Sequence, residues 1–247
     1  VIYENAEVLV LNRDDDLAGR VNVAKRNQLG FTLNKPQADE FGVCEDSDNK
    51  LNLCFGERQL IAVEQMKIKG SHNWQNAMAA LALGHAIGLP LDSMVETLKG
   101  FKGLKHRTQF VAEADGISWI NDSKATNPGA TIAALVGLPG KHVLIAGGEA
   151  KGADFSELAE VVKEHCRAVV LMGKDAQQIR SVLPDFIPVE MVADMKTAVS
   201  VAQSLAIPGD NVLLAPACAS FDMFENFEHR GDVFIQQVET LLSEVTI

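Results

Sequence analysis

The sequence contains no apolar run near the roughly 20 residues that a membrane-spanning helix needs. It does not open with a basic segment, an apolar stretch and a small-residue cleavage site, so nothing reads as a secretory leader. Its cysteines, Cys44, Cys54, Cys166 and Cys218, form no CxxC pair. They read as reduced thiols of a cytoplasmic protein, neither a disulfide framework nor a zinc site. The histidines fall at no HxH or HxxxH spacing, and no metal ligand is assigned. Basic residues are the minority, 22 against 33 acidic, for a net charge of -11. That balance argues against a nucleic-acid partner, which needs clustered Lys and Arg, but not against a small phosphate ligand. No GxSxG is present, which disfavours a nucleophile elbow. No GxxxxGK[ST] is present either, since Gly140-Lys141-His142 and Gly173-Lys174-Asp175 do not fit it. A P-loop, if the protein uses one, is expected upstream of Val1. The first residue is Val and the chain enters strand-like sequence at once, which reads as the middle of a domain.

What remains is a globular mixture, 47% hydrophobic and 22% charged, long enough for one large domain or two ordinary ones. Its two parts differ in texture. Residues 1–103 begin β-rich and turn-rich. Short apolar runs at Glu7–Leu11, Leu29–Leu33, Phe41–Cys44 and Leu51–Phe55 predict a small antiparallel sheet, with Glu45–Lys50 as a hairpin loop. From Gly70 the period turns helical through Trp74, Ala77, Met78, Leu81 and His85, with Ser71 as the expected cap and Gly88 just past the end. A short helix after Asp92 should bury Val95 and Leu98, and Gly100–Lys105 reads as a linker.

Residues 104–247 alternate strand and helix. Asp115-Gly116 between two short apolar runs predicts a hairpin. Asn127-Pro128 predicts a helix start, with Ile132, Leu135 and Val136 on one face. Val143–Ala146, Ala168–Met172 and Val212–Ala215 are fully apolar, as strands buried on both faces are. Asp154 with Glu157 predicts a capping box, and Asp194 a cap. The last helix carries Val233, Phe234, Val238, Leu241 and Leu242. The expected class is α/β: a Rossmann-like domain preceded by a smaller unit with the antiparallel sheet.

Ligands of such sheets sit beyond the carboxyl ends of the strands. Three loops follow predicted strands there: Asn121–Asn127, Gly147–Gly152 and Pro216–Asp222. In the first, Asp122, Lys124 and Thr126 alternate, an acid, a cation and a hydroxyl that could hold a ribose, a phosphate and a carboxylate. An ordinary polar turn has the same composition. Lys151 follows a Gly-Gly turn that lets backbone approach a ligand, though a solvated lysine reads the same way. Ser220 precedes the last helix, where it suits an anion and equally a plain cap. Arg107, beside His106, lies next to the linker and could reach a phosphate, or simply lie on the surface.

The runs Asn121-Asp122-Ser123-Lys124-Ala125-Thr126-Asn127 and Ala215–Gly231, which contains Pro216-Ala217-Cys218-Ala219-Ser220-Phe221-Asp222, resemble the Mur ligases, and within them the branch that adds D-glutamate. Gly70–Ala77 is similar to the family's central-domain helix, and Leu104–Arg107 to its interdomain arginine. The Asp-Asn-Pro-Arg signature of the diaminopimelate-adding branch is absent. The resemblance covers essentially the whole chain. It implies the end of a central P-loop ATPase domain followed by a complete C-terminal domain. The implied reaction is ATP-dependent amide formation in peptidoglycan precursor synthesis, joining D-glutamate to UDP-N-acetylmuramoyl-L-alanine through an acyl phosphate, with Mg²⁺. The implied protein is a cytoplasmic monomer with small-molecule substrates and no membrane insertion. The resemblance assigns Asn76, Arg107, Asp122 and Lys124 to ATP, with Arg107 and Lys124 also catalytic. It assigns Thr126, Lys151, Ser220 and Phe227 to D-glutamate. The family's P-loop, metal-binding histidine and carbamylated lysine have no counterpart here, so the chain alone is expected to be inactive. A non-catalytic Rossmann-like nucleotide-binding domain and a sister ligase for another amino acid remain alternatives.

Overall fold

The computed structural model describes residues 5–19, 27–68 and 70–245. The chain divides into two compact units, Val1–Lys102 and Gly103–Ile247.

The first unit is built on five strands: β1 (Val8–Asn12), β2 (Asn27–Phe31), β3 (Glu40–Glu45), β4 (Leu51–Phe55) and β5 (Arg58–Ala62), side by side in that order. A short helix α1 (Asp16–Gly19) follows β1. The sheet is mixed, not purely antiparallel as expected. β1, β2 and β3 run parallel, and only β3–β4 and β4–β5 are antiparallel hairpins. Apolar runs reveal strands but not the direction in which they pair. Helices α2 (Ser71–Ala86) and α3 (Leu91–Gly100) complete the unit. Phe41, Val43 and Leu53 of the sheet pack with Met78, Leu81 and Val95 of the helices. Gly70, not Ser71, holds the cap position of α2, and Ser71 is already its first helical residue. Gly88 takes φ +82 just past the helix end, and its N–H donates to the carbonyl of His85. Leu89 N–H donates to Gly84, closing a double-bonded helix stop.

Cys44 and Cys54 were expected to be thiols, but they are joined by a disulfide across β3 and β4, with Cα atoms 6.2 Å apart. Antiparallel register places them on one face of adjacent strands, a relation that spacing alone does not reveal. Cys166 and Cys218 are buried thiols.

The second unit is a six-stranded sheet between two helical layers. Its strands are β6 (Gln109–Ala114), β7 (Ile117–Asn121), β8 (His142–Ala146), β9 (Cys166–Leu171), β10 (Val189–Met191) and β11 (Asn211–Leu214), ordered β10-β9-β8-β11-β7-β6. All neighbours are parallel except the β6–β7 hairpin, which turns on Asp115 and Gly116, both at positive φ. Alternation along each strand feeds two cores. Leu144 and Ala146 face α4 (Pro128–Gly137), α5 (Ser156–His165) and α6 (Ala176–Val182). Val143 and Ile145 face α7 (Met195–Leu205) and α8 (Phe227–Val245).

Asn127 caps α4 through the N–H of Ala130, with Pro128 at the first position. The buried face of α4 carries Thr131, Ala134 and Leu135, while Val136, expected inside, is 54% exposed. Asp194 caps α7 through the N–H of Thr197. Asp154 lies one residue too early for a capping box, and its carboxylate accepts from Ser156 instead. Among the described residues no helix is long and apolar enough to cross a membrane.

Candidate functional site

The carboxyl ends of β7, β8, β9 and β11 open on one edge of the second unit's sheet, because these strands are parallel. The loops there are held by backbone bonds to one another. Asp122 N–H donates to Leu214 O (2.8 Å), Ala217 N–H to Ala125 O (2.9 Å) and Gly147 N–H to Pro216 O (2.8 Å). Glu149 and Ala219 exchange two bonds, of 2.9 and 3.0 Å, forming an isolated bridge between the β8 and β11 loops. Lys151 and Ser220 stand just beyond the two ends of that bridge.

The β7 loop places Asp122, Lys124 and Thr126. Asp122 is 8% exposed, and its carboxylate accepts from Thr108 N–H at 3.2 Å. Burial pushes its carboxyl up to about 6, against the opposing pull of that hydrogen bond and of the Arg107 charge. Arg107 itself is exposed. Lys124 lays its ammonium 3.8 Å from the centre of the Phe227 ring, a cation–π contact that carries the loop to the first residue of α8. Phe227 O accepts from Ser123 Oγ at 2.8 Å, so ring and backbone of Phe227 both serve this junction. Lys151 is exposed, takes φ +52, and stands 5.0 Å from the Phe221 ring. Ser220 is buried, and its carbonyl accepts from Phe224 N–H at 2.8 Å.

Two residues that the sequence reading passed over hold this edge together. Arg230 is 1% exposed. Its guanidinium donates to Ser123 Oγ (3.0 Å), Ser123 O (2.9 Å) and Cys218 O (3.1 Å), joining the β7 and β11 loops under α8. Burial lowers its value to about 10. It looked like an ordinary helix arginine, and only the fold turns it inward. His106, buried at φ +61, shares Asn121 Nδ2 at 3.0 Å and accepts Lys124 N–H through its carbonyl. Gly231 makes room for it, since a Cβ there would lie 2.2 Å from the His106 Nδ1. Burial lowers the His106 value, against the opposing pull of the Asp232 carboxylate.

Asn76, the remaining predicted residue, belongs to the first unit. It is exposed on α2 beside Gln75, whose amide donates to Asp14 at 3.3 Å. Asp14, also passed over, gathers Thr32 Oγ1 (2.6 Å), Leu33 N–H (2.7 Å) and Asn34 (3.2 Å) as well. Burial would raise its carboxyl, but these bonds outweigh it and hold the value below the usual range. Asp14 thus ties the ends of β1 and β2 to the first turns of α2.

The family description "Mur ligase, glutamate ligase domain" matches residues 106–218. A UDP-N-acetylmuramoylalanine--D-glutamate ligase of Pseudomonas aeruginosa is 49% identical over 244 residues, 97% of this chain and 54% of the relative. The protein of the same name from Legionella pneumophila is 46% identical over 246 residues, again 97% of this chain and 55% of the relative. The chain therefore spans about half the length of the curated relatives it matches. The fold is that of MurF ligase from Thermotoga maritima, solved in complex with ADP, with a TM-score of 0.64 at 17% identity, covering 94% of this chain and 54% of that one. A UDP-N-acetylmuramoyl-L-alanyl-D-glutamate--2,6-diaminopimelate ligase aligns with a TM-score of 0.55 at 18% identity, covering 96% of this chain and 54% of that one. The second unit is thus a Mur ligase C-terminal domain, and the chain as a whole is similar to the corresponding half of D-glutamate ligases of that family.

Proposed function

We propose that this chain forms the D-glutamate half-site, with part of the ATP site, of a ligase that joins D-glutamate to UDP-N-acetylmuramoyl-L-alanine. The observation that carries the reading is the gathering of Lys124, Thr126, Lys151 and Ser220 on loops at one sheet edge, with Phe227 at the start of α8 beside them and two of those loops joined by the Glu149–Ala219 bridge. Relatives at nearly half identity carry that ligase name.

In this reading the γ-phosphoryl group of ATP passes to the carboxylate of the UDP-linked substrate, and ADP departs. The amine of D-glutamate attacks the acyl carbon, and the tetrahedral intermediate expels phosphate. Positioning and electrostatics supply most of the rate in phosphoryl transfer. Lys124 and Arg107 offset charge on the transferring group. Asp122 and Asn76 hold the nucleotide. Lys151 pairs with a carboxylate of D-glutamate, Thr126 and Ser220 donate hydroxyl hydrogen bonds, and Phe227 walls the pocket. Mg²⁺ would accompany the ATP. Among the described residues no three His, Cys, Asp or Glu side chains gather as a metal site, so no step of this chain is assigned to it.

The test is phosphate release by the intact ligase with ATP, Mg²⁺ and UDP-N-acetylmuramoyl-L-alanine, comparing D-glutamate with L-glutamate, L-lysine and diaminopimelate. Stimulation by D-glutamate alone is expected, with no turnover by the 247-residue chain on its own. Stimulation by another amino acid would keep the ligase and discard this pocket. No stimulation by any of them would leave a plain nucleotide-binding domain.

A further inference from the structure

We propose that Asp175 is a positioning residue, which fixes Lys151 relative to Ser220 and so sets the length of dicarboxylate the site accepts. This rests on the D-glutamate reading above and names what makes that site selective.

Asp175 occupies the cap position of α6, where an aspartate ordinarily accepts from the N–H groups of its own helix. Here it makes no such backbone cap bond. One carboxylate oxygen crosses to the β8 loop and accepts from Ala150 N–H at 2.8 Å, and the other accepts from the Gln178 amide at 2.9 Å. The Asp175 N–H in turn donates to Gly148 O at 2.9 Å. The residue therefore clamps the peptide that leads into Lys151 from both ends.

The clamp matters at one residue. Gly147, Gly148 and Gly152 take positive φ freely, but Lys151 between them takes it as a non-glycine residue. A lysine at φ +52 returns to an ordinary conformation unless its neighbours over-determine it. On one side the loop is fixed to the Ser220 loop by the Glu149–Ala219 bridge. On the other it is fixed by Asp175 alone among the side chains hydrogen-bonded to the backbone of Gly147–Lys151 in the described residues. Lys151 and Ser220 are the two groups proposed to hold carboxylates. Their offset is a ruler between two anions, with the bridge as one stop and Asp175 as the other. A dicarboxylate one methylene shorter, such as D-aspartate, would fail to reach both.

The experiment uses the intact ligase with Asp175→Ala, Asp175→Asn, Lys151→Ala and the Asp175→Ala/Lys151→Ala pair. Asp175→Ala is expected to raise the KM for D-glutamate about tenfold while leaving the KM for ATP unchanged. It should also narrow the preference for D-glutamate over D-aspartate. Asp175→Asn, which keeps an acceptor for Ala150 N–H, should recover most of the loss. The double variant should be no worse than Lys151→Ala, because Asp175 acts through Lys151. If Asp175→Ala does not fold, Asp175→Ser takes its place under the same requirements. Additive losses in the double variant, equal rises in both KM values, or an unchanged D-glutamate KM would each overturn the proposal. Amide exchange at Ala150 in this chain separates the two readings. Faster exchange in Asp175→Ala with a wild-type ligase indifferent to D-glutamate means that the clamp exists but the substrate assignment, and the ruler with it, is wrong.

Discussion

Asp122 and Asp210 are both buried aspartates of the same sheet, 8% and 4% exposed, yet their carboxyls move in opposite directions. Asp210 precedes β11 at the amino edge. Burial would raise it, but the Arg167 guanidinium and Ile207 N–H bind it and hold it below the usual range. Its surroundings are closed in the same way, with His142 accounted for by Leu135 O and Asn211. Asp122 follows β7 at the carboxyl edge. It has one backbone donor and is pushed up to about 6. Around it Arg230 is buried without a hydrogen-bonded carboxylate in the described residues, and His106, Thr108, Lys151 and Ala217 all hold positive φ. The amino edge answers its buried carboxylate with a charged partner, whereas the carboxyl edge leaves Asp122 with one backbone donor and holds these four non-glycine residues in the left-handed region, a combination that sites for ligands often share.

The contrast breaks most severely at Arg230. Arg230→Ala strands the Ser123 and Cys218 carbonyls, and urea unfolding should show a loss of about 3 kcal/mol or more. The two aspartates give smaller, opposite effects. Asp210→Ala should cost about 2–3 kcal/mol at neutral pH, since it strips a buried carboxylate from its partners. A lowered carboxyl stabilises the fold above its unfolded value and loses that contribution as pH falls through the folded value. The cost of the substitution should therefore shrink in acid. For Asp122 the sign reverses. Its folded value lies above the unfolded one, so the folded state binds the proton more tightly and stability falls as pH rises from about 4 to about 6. Asp122→Asn should stabilise the chain by about 2–3 kcal/mol at pH 7.5 and hardly at all at pH 4, while weakening ATP use in the intact ligase. Equal effects at both pH values would contradict the raised carboxyl.

The smallest effect is at Lys151. Lys151→Gly relieves a left-handed backbone and should change stability by less than about 1 kcal/mol, because glycine's added chain entropy offsets the gain. Its D-glutamate KM should nonetheless rise. A large stability loss would mean that Lys151 holds the loop, and not the reverse.

The parts legible in the sequence were local. Asp115-Gly116, Asn127-Pro128 and Asp194 each specify a turn or cap within a few residues, and each does so in the structure. Fully apolar strands announced the parallel sheet. Parallel pairing of β1–β3, the β10 edge strand and the Cys44–Cys54 disulfide depend on register between distant segments, which no local pattern encodes. Val136 failed because an apolar residue one position off the helix stripe looks like a core residue. The predicted residues of the second unit all lie on its carboxyl-edge loops or adjoining segments. Arg230, Asp175 and Asp14 were missed for a common reason. Each looks like an ordinary helix or loop residue, and its importance lies in partners 12 to 107, 25 and up to 61 positions away in the chain.

The most direct test is a backbone amide NMR titration of this chain with D-glutamate. Shifts confined to Thr126, Lys151, Ser220 and Phe227 at the carboxyl edge, with Asp210, His142 and Asn211 unmoved, are expected. Shifts centred on the amino edge, or none up to millimolar D-glutamate, would contradict the assignment of this edge as the ligand site.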